Sequence, residues 1–259
     1  MEKSLTRDGV TLFYEVLGSG PTLLLSHGFG ASAAMWAPQR AALSENYRLI
    51  LWDMRGHARS DSPEALDAYS EAETVADMAA LLDAEGADSA LVGGLSLGGY
   101  MSLAFALSHP ERVDGLLLFD TGPGYKQDEA REKWNSFARR QADKYESRGL
   151  EAAPRGPETQ GAAHRSAVGL ANAARGMLAQ VNARVMLGLD SITVPTLVLV
   201  GAEDKPYLGA ADYMARKIPG ASQVVLPAAG HAANLDQPEA FNAAVLAFLG
   251  GHFSLTQGL

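Results

Sequence analysis

The chain has 259 residues, enough for one large α/β domain or two small ones, and its hydrophobic content of 47% is ample for a sizeable core. A formal net charge of −9 disfavours nucleic acid and anionic membrane surfaces as partners. Because the chain contains no cysteine, disulfides, thiolate nucleophiles and cysteine-based metal sites are excluded. The polar amino terminus and the lack of a bilayer-spanning apolar run lead us to expect a cytoplasmic protein.

Short apolar runs along the chain predict the strands of a sheet. The first segment, Ser4–Val16, contains the turn dipeptide Asp8-Gly9 and predicts a β-hairpin. Further runs predict strands at Thr22–Ser26, Tyr47–Trp52, Ala90–Leu95, Val113–Phe119, Thr196–Val200 and Gln223–Leu226. Such continuous runs are typical of strands that are covered on both faces, as in a parallel sheet.

Helical segments alternate with these strands, notably Ala33–Leu43, Glu73–Glu85 and Ser96–Ser108. The alternation predicts an α/β fold with a mostly parallel, doubly wound sheet and helices on both of its faces. We expect Ala240–Leu249 to form the last helix and Gly250–Leu259 to fray.

The interval from residue 122 to residue 191 interrupts the alternation because it contains no good strand candidate. Asp128–Arg148 predicts a helix that places Trp134, Phe137, Ala138, Gln141 and Tyr145 on one face. Ala171–Gln180 and a stretch ending at Leu189 are further helical candidates. The interval is too long for one crossover, so we expect a core formed by residues 1–121 and 192–259 and a helical cap, or lid, formed by residues 122–191. Ordinary crossover helices joined by a long loop are the alternative.

The stretch Gly94-Leu95-Ser96-Leu97-Gly98 joins a predicted strand to a predicted helix. This Gly-x-Ser-x-Gly pattern is typical of a nucleophile elbow, in which a strained turn exposes the serine hydroxyl. The residues two before and two after the serine must be small because strand and helix pass close together there. The NH of Leu97 would lie at the helix N-terminus, where developing negative charge is stabilised. A glycine-rich turn with a solvated serine is the alternative.

The loop Ser26-His27-Gly28-Phe29-Gly30 follows the first predicted buried strand. Such a loop can direct a backbone NH toward the same point as the NH of Leu97, so we expect the amides of Phe29 and Leu97 to form an oxyanion hole. We expect His27 to hold the loop by hydrogen bonding and not to transfer protons.

An acid and a histidine follow the last two predicted strands. Asp204 lies at the carboxyl end of Thr196–Val200, and His231 follows Gln223–Leu226. Serine, acid and histidine in this chain order predict a triad in which Ser96 attacks, His231 carries the proton and Asp204 orients the imidazole. Asp120 is the rival acid, and Glu203 is a weaker candidate because side chains alternate in direction near a strand end.

The segment Asp53-Met54-Arg55-Gly56-His57 also contains an acid and a histidine. We interpret it as structural and expect Asp53 and Arg55 to pair and hold the loop after Tyr47–Trp52.

Together, the Ser26–Gly30 loop, Asp53–His57, the Gly94–Gly99 elbow, Gly201–Asp204 and Gly230-His231 resemble the serine α/β-hydrolases of the small esterase, enol-lactonase and perhydrolase-like group. The resemblance implies an eight-stranded sheet whose second strand is antiparallel, a helical cap, and a triad of Ser96, Asp204 and His231. Ala58 stands where such sequences often carry glycine, which should alter the freedom of its loop.

A serine at the elbow disfavours dehalogenases and epoxide hydrolases, and Gly30-Ala31-Ser32 disfavours the meta-cleavage carbon–carbon hydrolases.

The sequence therefore predicts a hydrolase of small carboxylic esters or lactones that works through an acyl-enzyme on Ser96 and needs no metal or organic cofactor. Carbon–carbon hydrolysis, perhydrolysis and ligand sensing without turnover are the alternatives. We expect Trp134, Phe137, Tyr145, Met177 and Met186 of the cap to be candidates for the walls of the substrate pocket.

Overall fold

An eight-stranded sheet forms the centre of the computed structural model, which describes residues 1–153 and 155–253. The strands are β1 (Glu2–Arg7), β2 (Val10–Leu17), β3 (Thr22–Ser26), β4 (Arg48–Trp52), β5 (Ala90–Leu95), β6 (Val113–Phe119), β7 (Thr196–Gly201) and β8 (Ser222–Leu226). Their order across the sheet is β1-β2-β4-β3-β5-β6-β7-β8. β2 runs antiparallel to both of its neighbours, and the remaining pairs are parallel. The predicted sheet and its antiparallel second strand are confirmed.

The central strands are buried on both faces because helices cover the sheet from either side. In β3, Leu24 belongs to the hydrophobic layer under α2 and α3, whereas Leu23 and Leu25 belong to the layer on the opposite face. This alternation follows from the two-residue repeat of a strand. It explains why the central strands are continuous apolar runs in the sequence.

The described helices are α1 (Ala37–Ser44), α2 (Glu71–Ala84), α3 (Leu97–Ser108), α4 (Asp128–Arg148), α5 (Ala167–Ala173), α6 (Arg184–Leu187), α7 (Lys205–Lys217), α8 (Ala233–Asp236) and α9 (Pro238–His252). α2 begins two residues earlier than predicted because the Ser70 side chain caps it by accepting a hydrogen bond from the NH of Glu73. None of the helices in the described parts of the chain is long and apolar enough to cross a bilayer.

In the last third of the chain, one helix was not predicted and one expectation is wrong. The sequence did not predict helix α7, of which Ala211 and Met214 are buried and Tyr207, Leu208 and Tyr213 are partly buried against the same core. Helix α9 continues through His252, so Gly250 and Gly251 are helical and do not fray. The remainder of the segment expected to fray, residues 254–259, lies outside the described residues.

Residues 122–191, the segment that we expect to form a cap and call the cap segment below, contain α4, α5 and α6, and the described residues among them form no strand. A π-helical turn, Ala174–Leu178, continues α5. The cap has a small core of its own, formed by Ala142 and Tyr145 of α4 with Leu170, Ala171 and Ala174. The long helix α4 thereby holds the segment that returns to β7.

Candidate active site

Ser96 lies at the sharp turn between β5 and α3 with φ 55° and ψ −114°, a conformation that a non-glycine residue rarely adopts. Its NH donates to the carbonyl of Phe119, 3.0 Å away, and its carbonyl accepts from the Thr121 hydroxyl at 2.6 Å. Strain of this kind costs about 1–3 kcal/mol and persists only where the surroundings hold it. The flanking hydrogen bonds fix the strained serine in place.

The glycines on either side of Ser96 are required by close backbone contacts. A Cβ at Gly98 would lie 2.2 Å from the carbonyl oxygen of Ser26, and one at Gly94 would lie 2.5 Å from the carbonyl carbon of Gly98. Both distances are far below van der Waals contact. The turn is therefore built as the Gly-x-Ser-x-Gly pattern predicts.

Asp204 and His231 are joined by a hydrogen bond of 2.8 Å between Asp204 Oδ2 and His231 Nδ1. Asp204 is 5% exposed at the end of β7, whereas the neighbouring Glu203 points to solvent. Burial favours the neutral imidazole, but the hydrogen bond and charge of Asp204, with smaller contributions from Asp120 and Glu158, raise the pKa of His231 above its ordinary value. The structure thus couples Asp204 to His231.

Asp120, the rival acid, is fully buried and is occupied by backbone donors. Its carboxylate accepts from the NH of Gly201 at 2.7 Å and from the NH of Ala233 at 3.3 Å. Burial raises its pKa to about 7, helped by the charge of Asp204 and opposed by these donors and by His231. No hydrogen bond joins it to His231 among residues 1–153 and 155–253. Asp120 therefore ties the end of β6 to the end of β7 and to the start of α8.

Sequence reasoning missed Tyr207, which lies in the first turn of α7. Its ring stacks on the imidazole of His231 with a centroid distance of 4.8 Å and an interplanar angle of 29°. Burial raises the pKa of the Tyr207 phenol to about 12, and the nearby Ser96 hydroxyl acts in the opposite direction. Within the described residues, no hydrogen bond of ordinary length joins the Ser96 hydroxyl to Tyr207 or to His231. Pro206 at the start of α7 was the available signal for this helix.

The two amides expected to form the oxyanion hole are both available. In the part of the chain that the structure describes, no hydrogen bond uses the NH of Leu97 or of Phe29. Leu97 is the first residue of α3, so its NH has no partner within the helix. The Phe29 ring makes edge contacts with His57 at 5.6 Å and with Tyr145 of the cap at 6.2 Å. These contacts place the Phe29 loop between the core and the cap.

His27 holds this loop, as predicted. Its Nε2 accepts from the NH of Met54 at 2.9 Å, so its Nδ1 carries the proton and donates to the carbonyl of Gly28 at 2.7 Å. Burial lowers its pKa to about 4. His27 is therefore neutral and committed to the backbone.

His164 of the cap ties the cap segment to the same region. Its Nδ1 accepts from the NH of Ala58 at 3.0 Å, and its Nε2 donates to the carbonyl of Gly30 at 2.8 Å. Ala58 adopts φ 41°, so alanine occupies a left-handed conformation that favours glycine.

The expected pairing of Asp53 with Arg55 is wrong. The Arg55 guanidinium instead forms a two-pronged ion pair with Asp77 of α2, at 2.6 and 2.8 Å. Asp53 accepts from the NH of Ala33 at 2.7 Å and from the NH of Arg59 at 3.1 Å. Both residues hold the loop, as expected, but each does so through a different partner.

A cavity of about 340 Å³ opens beside Ser96. Its apolar walls are Leu97, Pro123, Trp134, Leu178, Pro206 and Ala210. Its polar lining consists of Ser96, Tyr100, Thr121, Tyr125, Gln180 and Tyr207. The cavity thus lies between the elbow, α7 and the cap segment.

Of the five cap residues expected to form pocket walls, Trp134 lines this cavity. The other four lie elsewhere. Tyr145 and Met177 are each 1% exposed within hydrophobic clusters, because cap helices need a core of their own. Phe137 is 38% exposed on the outer side of α4, and the half-buried Met186 is also outside the lining.

Comparison with known proteins agrees with this architecture. The family model described as alpha/beta hydrolase fold matches residues 21–152. A Caulobacter protein named "Putative carbamate hydrolase RutD" is 32% identical over 96% of this chain and 98% of its own. A 3-oxoadipate enol-lactonase of Acinetobacter baylyi is 30% identical over 95% of this chain and 96% of its own. The structure of a thermophilic esterase from Thermogutta terrifontis superposes with a TM-score of 0.84 at 30% identity, covering 97% of this chain and 99% of the esterase.

The sheet order, the strained turn and the acid–histidine pair at the strand ends define a hydrolase of the α/β fold. The chain belongs to the α/β-hydrolase family.

Proposed function

We propose that the chain is a serine hydrolase that cleaves a small carboxylic ester or lactone through an acyl-enzyme on Ser96. The observation that carries the proposal is the 2.8 Å hydrogen bond between Asp204 and His231 at the rim of the sheet where the strained Ser96 opens into a cavity. The similarity to an esterase and to an enol-lactonase supports the same class of substrate.

In this mechanism, His231 Nε2 removes the proton from Ser96 as the hydroxyl attacks the acyl carbon. Asp204 keeps the proton on Nδ1 and stabilises the imidazolium that forms. The Ser96 hydroxyl must come within hydrogen-bond distance of His231 Nε2, a contact that tightens when substrate is bound. The imidazolium then protonates the leaving alcohol, and a water molecule activated by the same histidine releases the acid.

The oxyanion of each tetrahedral intermediate would be stabilised by the NH groups of Leu97 and Phe29. Both NH groups lack a partner among the described residues, as a preformed oxyanion hole requires. Leu97 adds the positive end of the α3 dipole. Removal of one such donor typically costs about 10²–10³-fold in kcat.

The proposal is tested with Ser96→Ala, assayed on a short-chain 4-nitrophenyl ester and on an enol-lactone. We expect loss of turnover with an unchanged circular-dichroism spectrum, and loss of labelling by a fluorophosphonate probe. Ser108→Ala, which changes an exposed serine at the end of the same helix, is the matched control and should behave as the wild type. Undiminished turnover in Ser96→Ala would refute the proposal.

A further inference from the structure

The side-chain amide of Gln180 is buried in the cavity and has an oxygen without a hydrogen-bond partner among the described residues. Gln180 is 8% exposed and lines the cavity beside Ser96. Its Oε1 is buried and accepts no hydrogen bond from any described residue. A buried amide oxygen without a donor is unfavourable, so its presence in a binding cavity indicates a ligand that supplies the donor.

The structure holds Gln180 in place from both sides. Asn135 of α4 donates to the carbonyl of Gln180 at 2.9 Å and accepts from its NH at 2.8 Å. The neighbouring Trp134 donates from its indole to the carbonyl of Leu178 at 2.7 Å. Two consecutive side chains of one long helix therefore fix the segment that carries the amide.

The opposite wall leaves room for this amide. Gly124 has φ +85°, and a Cβ there would lie 2.8 Å from Gln180 Oε1. Any side chain at residue 124 would therefore collide with the amide. A glycine in this position lets the amide lie against the backbone of the loop that follows β6.

No charged residue is among the described residues that line the cavity. The two arginines whose charges act on Tyr100 of the lining are already paired. Arg184 binds Glu71 at 2.6 Å, and Glu71 also accepts from the Tyr100 hydroxyl at 2.7 Å. Arg131 binds Asp128 and, at 3.2 Å, the carbonyl of Tyr125. An anionic acyl group inside the cavity would thus lose its hydration without meeting a cation in the lining.

We propose that Gln180 determines specificity in this cavity by binding an uncharged acyl chain that bears a hydrogen-bond donor, namely a hydroxyl or an amide NH. This inference rests on the proposed serine hydrolase function and narrows its substrate class. A terminal carboxamide is the most complementary group, because it offers a donor and an acceptor to the amide of Gln180 whichever way that amide is turned. Esters of apolar acyl chains fill the cavity but leave Oε1 without a partner.

The test uses four 4-nitrophenyl esters of equal chain length that end in carboxamide, methyl ketone, isopropyl or carboxylate, over a short series of lengths. The four ends have the same number of heavy atoms and differ in donors, acceptors and charge. We expect wild-type kcat/KM to favour carboxamide over isopropyl by about tenfold at the best length, as one net hydrogen bond allows. The carboxylate should be the poorest substrate.

In Gln180→Leu, this preference for carboxamide should disappear or reverse, and kcat/KM for the isopropyl ester should rise. Gln223→Leu, which changes an exposed glutamine on β8, is the matched control and should keep the wild-type preference. An unchanged preference in Gln180→Leu, or a wild type that prefers the carboxylate, would overturn the inference.

Binding of the corresponding nonhydrolysable ketones to Ser96→Ala, measured by calorimetry, reads the same preference without turnover. A carboxamide preference that depends on Gln180, without hydrolysis by the wild type, would support the specificity and sink the proposed function. Hydrolysis by the wild type without a carboxamide preference would support the proposed function and overturn the proposed specificity. Absence of the preference in both assays overturns the inference whatever the rates.

Discussion

The ring of Tyr207 stacks on the imidazole of His231, with centroids 4.8 Å apart and planes 29° from parallel. The hydrogen bond that His231 Nδ1 donates to Asp204 fixes one edge of the same imidazole, and the stack fixes its plane. Because Tyr207 also lines the cavity, its ring contacts both the imidazole and the space beside Ser96.

Tyr207→Ala should therefore lower kcat by about tenfold, because a misplaced general base loses much of its effect. Tyr207→Phe keeps the stacked ring, removes only the hydroxyl near Ser96, and should restore kcat to within about threefold of the wild type. Steady-state kinetics of both variants on one ester provides the measurement. Equal damage in the two variants would show that the hydroxyl, and not the ring, is the important group.

In the proposed mechanism, the pH dependence of kcat/KM reports the protonation of His231, which must be neutral to accept the proton of Ser96. Since Asp204 raises the pKa of His231 above 6.5, the rate should increase with pH through a midpoint above that value. Asp204→Asn removes both the charge and the correct tautomer, so the midpoint should move to lower pH and kcat should fall by about 10³–10⁴-fold.

Asp120→Asn is the comparison for this prediction. Asp120 contacts backbone NH groups and is not hydrogen-bonded to His231 among the described residues, so its replacement should cost less activity than Asp204→Asn. A pH–rate profile of each variant separates the two acids. The reverse order of damage would assign the orienting role to Asp120.

Most of the fold could be predicted from the sequence, because the apolar runs of the strands and the small residues of the elbow are local features. A continuous apolar run such as Leu23–Leu25 indicates a buried strand without knowledge of its partner strands. The elbow likewise needs small residues within a few positions of Ser96. The meeting of Asp204 with His231 could be predicted because the ends of parallel strands meet at one edge of the sheet.

The features that could not be predicted depend on contacts between distant parts of the chain. Arg55 pairs with Asp77 of α2 instead of the adjacent Asp53, and no local pattern distinguishes the two acids. Gln180 owes its position to Asn135, which lies 45 residues away. Tyr145 has the same helical periodicity as Trp134, yet it packs in the core of the cap whereas Trp134 faces the cavity.

The two hydrogen bonds of His164, to Ala58 and Gly30, join the cap segment to the core, and we expect their contribution to stability to depend on pH. Burial lowers the pKa of His164 below 6.5, so the unfolded chain takes up a proton there before the folded protein does. The stabilisation by its two hydrogen bonds is therefore complete above pH 6.5 and decreases as the pH falls below that value.

His164→Ala should lower the free energy of unfolding by about 1–3 kcal/mol at neutral pH, because it leaves the NH of Ala58 and the carbonyl of Gly30 without their partner. The difference from the wild type should narrow from about pH 8 to about pH 5, measured by urea unfolding. His252→Ala, at an exposed residue near the end of α9, is the control. If the difference in free energy of unfolding between His164→Ala and the wild type did not change with pH, the predicted role of His164 protonation would be wrong.

Two helical glycines provide a contrast for the close packing of the elbow. A Cβ at Gly98 in α3 would lie 2.2 Å from the carbonyl of Ser26, whereas a Cβ at Gly209 in α7 would meet no atom within 4 Å. Both substitutions to alanine improve helix propensity by about 0.5–1 kcal/mol, so the difference between them isolates the steric effect. Gly209→Ala should raise the free energy of unfolding by about that amount.

Gly98→Ala should instead lower the free energy of unfolding by more than about 2 kcal/mol, because α3 must move away from β3. That movement also displaces Ser96 and the NH of Leu97, so the protein that remains folded should lose turnover and labelling by a fluorophosphonate. Urea unfolding and labelling of both variants measure the two effects. If Gly98→Ala were as stable and as reactive as Gly209→Ala, the elbow would not need its glycine, and the close approach of α3 to β3 would be wrong.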